Sequence, residues 1–204
     1  MVLPVVTGSI HLKGADIAMN KIVYIVHGFT ASSNSNWFPW LKEQLTDAGV
    51  GVVVPDMPNT TDPHSEAWLE MLRTCATQVD SATVFVGHSL GCVAALRYIL
   101  ERGVKIRGAV LVSGFIQNNP MKEQRAGLSE FVEPTLNVPL LKELISERVV
   151  ITAKDDDIVP VEATRNLAQH LDAQLIELDK GGHFIDREGY TQHHHVLEQV
   201  LKMI

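Results

Sequence analysis

From residue 21 onward, short apolar runs alternate with longer stretches in which apolar positions recur at helical spacing. The runs predict strands at Ile22–Val26, Gly51–Val54, Ala82–Val86, Ala109–Ser113, Arg148–Thr152 and Gln174–Leu178, most of them rich in β-branched residues and bounded by glycine or polar residues. The longer stretches predict helices at Asn36–Ala48, His64–Val79, Leu90–Glu101, Val161–Leu171 and roughly Thr191–Met203. Strand and helix follow one another without long structureless gaps, which is the pattern of a mostly parallel sheet of about six strands with helices on both faces. One segment breaks it. Gly114–Glu147 is interrupted by Pro120, Pro134 and Pro139; it has room for one or two small helices over a site but none for a large cap domain. Residues 1–18 carry a weak apolar patch at Val2–Val6, then glycine and polar residues. They read as an extension of unknown role ahead of a single domain over 19–204.

Composition narrows the function classes. A chain of 204 residues with 46% hydrophobic residues can bury one substantial core. The net charge of -7, with lysines and arginines unclustered, excludes the basic stripe that nucleic acid requires. Only Cys75 and Cys92 are present and not at Cys-x-x-Cys spacing, so no disulfide framework is expected. No apolar run approaches the ~20 residues of a membrane span, and the N-terminus lacks the layout of a signal peptide. A cytoplasmic protein, with no membrane partner, is expected.

The chemistry centres on Gly87-His88-Ser89-Leu90-Gly91, a Gly-x-Ser-x-Gly pattern between a predicted strand and a predicted helix. A tight turn in that context strains the serine and lifts its hydroxyl above the sheet, and the glycines leave room for neighbouring backbone. The helix that follows points its first N–H groups toward developing negative charge. Backbone N–H groups of Leu90 and Phe29 are the expected oxyanion donors, Phe29 because it follows the first strand in His27-Gly28-Phe29. Gly28 would permit close approach of substrate. His27 is expected to be structural or to shape that loop, and Trp37 and Phe38 are candidate pocket walls beside a core-filling alternative.

A base and an acid must come from elsewhere at the carboxyl edge of the sheet. His183, in Lys180-Gly181-Gly182-His183-Phe184, follows the last strand and is the candidate base. Asp155, Asp156 and Asp157 follow the fifth strand; one of them can orient the base, Asp157 being best suited to a solvated loop or helix cap, and Asp56 is a weak rival. The order Ser, Asp, His is that of α/β-hydrolases. Three adjacent aspartates diverge in direction and do not predict a metal site. His193, His194 and His195, about 100° apart on a helix rather than at i, i+4, predict a polar face. No cofactor motif is present.

Several pieces together resemble the small YdeN-like serine hydrolases, which group with the retinoblastoma-binding protein nine type of α/β-hydrolase. They are Ile25-Val26-His27-Gly28-Phe29, Asn36-Trp37-Phe38-Pro39-Trp40-Leu41, Pro55-Asp56-Met57-Pro58, the serine turn, Lys154-Asp155-Asp156-Asp157-Ile158-Val159-Pro160 and Gly181-Gly182-His183-Phe184. The resemblance covers Lys21 to the C-terminus. It implies an α/β-hydrolase fold, and it selects Asp156, the second aspartate of Asp-Asp-x-x-Val-Pro, as the acid. The implied activity is hydrolysis of a small-molecule ester, with thioesters or amides as alternatives, through Ser89, His183 and Asp156 and an acyl-enzyme. Peptidase or haloperoxidase chemistry on the same three residues is one rival. A noncatalytic module that keeps the hydrolase shell for binding proteins is another.

Overall fold

The computed structural model describes residues 21–117 and 128–204; the expected extension 1–18 and part of the proline-broken segment lie outside the described residues. Six strands form one sheet: β1 (Ile22–Val26), β2 (Gly51–Val53), β3 (Thr83–His88), β4 (Ile106–Val112), β5 (Ile145–Ala153) and β6 (Gln174–Leu178). Their order is β2-β1-β3-β4-β5-β6 and every pairing is parallel. The helices between them are α1 (Phe38–Asp47), α2 (Ser65–Cys75), α3 (Leu90–Arg102), α4 (Ser129–Val132), α5 (Val138–Leu144), α6 (Val161–Leu171) and α7 (His194–Met203). No helix of the described residues is long and apolar enough to cross a membrane.

Alternate strand residues point to opposite faces, and both faces are covered, so the central strands are apolar throughout. Val23, Ile25, Val84, Val86, Val110 and Val112 pack with Trp37, Phe38 and Leu41 at α1 and with Val196, Val200 and Met203 of α7. Tyr24, Val26, Phe85, Ala109 and Leu111 face the other way, onto Trp68 and Leu72 of α2, onto α3, and onto Leu167 and Leu171 of α6. The strand order reverses between β1 and β3. A parallel sheet opens a crevice at the carboxyl ends of the strands at such a reversal, because the two chains leave toward opposite faces.

Two of the differences from the sequence expectation bear on how the site is built. Helix α2 stops at Cys75 rather than Val79, and the hydroxyls of Tyr98 and Tyr24 donate to the carbonyls of Ala76 and Gln78, 2.8 Å each. Those carbonyls are satisfied by side chains, so the chain can leave the helix and turn toward β3. The second difference concerns the short helices expected over the site. Arg97 of α3 donates to the carbonyls of Phe131 and Pro134, and Phe131 meets Trp68 edge-on at 5.2 Å. Helices α4 and α5 therefore lie along α2, α3 and α6, and no described residue of 128–147 lines the cleft at the sheet's carboxyl edge.

Candidate active site

Strand β3 passes into α3 through Ser89 alone, whose φ of 54° and ψ of -124° lie where residues other than glycine rarely go. The turn is held by backbone. Ser89 N–H donates to the Val112 carbonyl of β4 at 2.9 Å, and the Ser89 carbonyl accepts from Cys92 N–H at 3.0 Å. A side chain at Gly87 would bring its Cβ to 2.7 Å from Cys92 Cα, and one at Gly91 would run into the carbonyl oxygens of Val26 and His27. Helix α3 is thus pressed against β1, with its N-terminus beneath the serine.

The loop after β1 comes directly against this turn: a Cβ at Gly28 would lie 2.9 Å from that of Ser89. His27 fixes that loop. Its Nε2 accepts from Met57 N–H at 3.0 Å, so the proton is on Nδ1, which donates to the Gly28 carbonyl at 3.0 Å. Burial lowers the pKa of the ring, in keeping with this neutral form. Asp56, the weak rival acid, is exposed and instead accepts from Ser33 N–H at 2.6 Å.

His183 is 4% exposed and Asp156 8%. Nδ1 of His183 lies 2.9 Å from Asp156 Oδ2 and 3.1 Å from Oδ1. A carboxylate can only accept, so Nδ1 carries the proton and Nε2 has the free lone pair of the neutral ring. Asp156 is itself held by the N–H groups of Ile158 and Val159, both 2.9 Å from Oδ1. The three aspartates do three different things. Asp155 accepts from Gly181 N–H at 2.8 Å and Gly182 N–H at 2.9 Å, so it shapes the histidine loop, and these N–H groups, that of Gly182 foremost, lower its pKa. Asp157 is exposed on the rim.

Other side chains brace the same loop from a distance. His88 Nε2 donates to the His183 carbonyl at 2.8 Å, Trp37 Nε1 to the Phe184 carbonyl at 3.1 Å, and Asn36 Oδ1 accepts from Asp186 N–H at 3.0 Å. Ser89 and His183 open into one cleft of about 690 Å³. Phe29, Ala31, Ile158 and Ile185 give it apolar walls, and Asp157, Asp186 and Arg187 give it a charged rim. The chemistry open to such a set is transfer of a hydroxyl proton to an imidazole whose orientation a carboxylate fixes.

Of the four residues expected to form the substrate pocket, only Gly28 lines the cleft. Trp37 and Phe38 are fully buried beneath it, because α1 needs large apolar residues where it closes over β1 and β3, and His27 is fully buried beside Trp68 with both ring nitrogens bonded to main chain. The expected polar face at 193–195 holds for His194 and His195, which are exposed, and fails for His193. His193 precedes α7, is 1% exposed, and packs among Trp37, Phe184 and Tyr190. Burial pushes its pKa down to about 3. The walls at Ile158 and Ile185 were not anticipated; each stands two residues after a candidate site residue, at Asp156 and His183, and that adjacency is the signal that could have found them.

Comparison with known proteins agrees with this architecture. A family model described as serine hydrolase matches residues 23–202. The YdeN protein of Bacillus subtilis (strain 168) is 41% identical over 175 residues, covering 85% of this chain and 90% of that one. The serine hydrolase RBBP9 of Rattus norvegicus is 24% identical over 169 residues, 82% of this chain and 86% of its own. The crystal structure of the B. subtilis ydeN gene product superposes with a TM-score of 0.85 at 38% identity, over 90% of this chain and 98% of that one. With the sheet order, the turn at Ser89 and relatives matched over most of their length all in agreement, the chain belongs to the serine hydrolase family and has the α/β-hydrolase fold.

Proposed function

We propose that this protein hydrolyses small carboxylic esters through Ser89, His183 and Asp156. The observation that carries the reading is the buried Asp156–His183 pair, whose histidine lines the same cleft as the strained serine. His183 Nε2 takes the proton as Ser89 Oγ bonds to the ester carbonyl carbon. The tetrahedral intermediate collapses, and the alcohol leaves with that proton, giving an acyl-serine. Water then attacks the acyl carbon, His183 takes its proton, and the serine departs protonated as the acid is released. Asp156 keeps the ring in the required tautomer and stabilises the imidazolium. The N–H groups of Leu90, at the start of α3, and Phe29, beside Gly28, are the oxyanion donors; each such donor is worth roughly 10²- to 10³-fold in rate.

Small esters are favoured because the apolar lining of the cleft among the described residues is short, formed by Phe29, Ala31, Ile158 and Ile185. Labelling with a fluorophosphonate probe and turnover of p-nitrophenyl acetate test the reading. Both are expected in the wild type, and Ser89→Ala should abolish labelling and lower kcat by about 10⁴-fold or more. A wild type that neither labels nor turns over a panel of short esters, thioesters and amides would sink it.

A further inference from the structure

His88 stands one residue before Ser89, yet its hydrogen bond reaches a residue 95 positions away. We propose that His88 is a positioning residue: by donating Nε2–H to the main-chain carbonyl of His183, it sets where the imidazole of His183 stands relative to Ser89. The inference rests on the roles given above to Ser89, His183 and Asp156.

The bond ties the two halves of the site directly. At one end is the last residue of β3, paired with Val112 in the middle of the sheet. At the other is the carbonyl of the candidate base itself. The loop that carries this base needs an outside anchor. Gly182 precedes it at a φ of 55°, and Phe184 follows at 57°. Glycine gives such a segment other conformations to visit, and a phenylalanine in the left-handed region persists only where its surroundings enforce it. The Trp37 indole, which donates to the next carbonyl, packs edge-on against the His88 ring at 5.9 Å between centroids. The two donors thus hold successive carbonyls.

A second observation separates this role from packing. The His88 ring is buried, and its Nδ1 has no hydrogen-bond partner. A buried acceptor left unpaired is unfavourable, and an apolar side chain of similar volume would avoid the cost. What histidine brings that such a side chain lacks is the N–H on Nε2. Burial, and next the neighbouring His183, hold the His88 pKa well below the ordinary value. The ring therefore stays neutral, with its single proton committed to this bond.

The test compares His88→Gln, whose amide N–H reaches about as far as Nε2, with His88→Met, which fills similar space without a donor. In His88→Met, kcat for p-nitrophenyl acetate should fall about 10- to 100-fold with KM within about twofold, the loss expected when a reacting group is displaced by about 1 Å. His88→Gln should recover activity to within about fivefold of wild type. The low-field proton resonance of His183 Nδ1–H on Asp156, recorded without substrate, should be sharp in wild type and His88→Gln and broadened or lost in His88→Met. If His88→Met does not fold, His88→Asn, whose amide falls short of the carbonyl, takes its place. Wild-type kcat and an unchanged resonance in the donor-less variant would overturn the proposal, as would equal losses in both variants with the resonance intact. If the wild type neither labels nor turns over the panel of short esters, thioesters and amides, the hydrolase reading fails by itself, and the resonance still decides whether His88 holds the ring.

Discussion

At Ser89 the chain is held by its own neighbours: backbone pressed on backbone at Gly87 and Gly91, and main-chain bonds to Val112 and Cys92. At His183 the chain is held by side chains from other parts of the molecule, Asn36, Trp37, His88 and Asp155, each bonded to the loop's main chain. The first arrangement is a property of a strand, a turn and a helix, and it fails only if the sheet fails. The second is a set of separable attachments. A nucleophile in a strained conformation needs a rigid frame; a base needs only to be aimed, and several hydrogen bonds can aim it.

The largest effect should come from cutting the aim at the ring itself. Asp156→Asn keeps the shape, but its one amide oxygen is claimed by the N–H groups of Ile158 and Val159, which leaves the amide NH2 facing Nδ1 and favours the wrong tautomer. A loss on the order of 10⁴-fold in kcat is expected, with the melting temperature little changed. If the loss is under tenfold, the main-chain braces alone orient the ring, and the carboxylate matters less than its position suggests.

The two regions should then respond differently to small changes in their supports. Gly91→Ala places a methyl group against the carbonyls of Val26 and His27, so β1 and α3 must separate. A loss of about 3–5 kcal/mol is expected, lowering the melting temperature by roughly 10 °C. Asp155→Ala removes an exposed side chain that accepts from Gly181 and Gly182. Here the melting temperature should fall by no more than about 3 °C while kcat falls about tenfold, because the loop loosens without the sheet noticing. A Gly91→Ala protein as stable as wild type, or an Asp155→Ala protein that is as active, would remove the contrast between frame and aim.

The same contrast explains what could be read from the sequence. Strands β1 and β6 and helix α6 have the bounds expected from periodicity, and the serine turn is where its pattern put it, since these features depend on residues adjacent in the chain. Strands β4 and β5 start three residues before their expected first residues, at Ile106 and Ile145. The extra length comes from their pairing with each other, which begins at Ile106 and Ile145. Trp37, by sequence a candidate pocket wall, lies buried with its indole on a carbonyl 147 residues away. Nothing local distinguishes an aromatic residue that faces substrate from one that faces the core under a loop not yet placed. His193 misled for a related reason: three adjacent histidines read as a polar face, but the first sits at the helix start, where its direction is set by Phe184 and Tyr190.

The last effect vanishes at neutral pH and grows only in acid, and it tests whether His193 is part of the packing under the loop. Its Nε2 is buried with no partner, and its folded pKa of about 3 lies below the ordinary value of 6.5. Above pH 6.5 the folded and unfolded chains both hold the ring neutral, and it contributes no pH dependence. Below that, the unfolded chain binds a proton that the folded chain refuses, so stability falls with pH until the folded value near 3 is reached, by at most about 1.4 kcal/mol per pH unit. His27 and His88, lowered in the same direction by burial, add to the slope. His193→Phe deletes one contribution, and it removes no helix cap, since the His193 side chain makes no capping bond to α7. Urea midpoints of wild type and variant should agree closely at pH 7.5 and separate in favour of the variant between pH 6 and 4.5. Parallel curves over that range would mean that the ring reaches water in the folded protein, and that the floor beneath the histidine loop is looser than the frame beneath the serine.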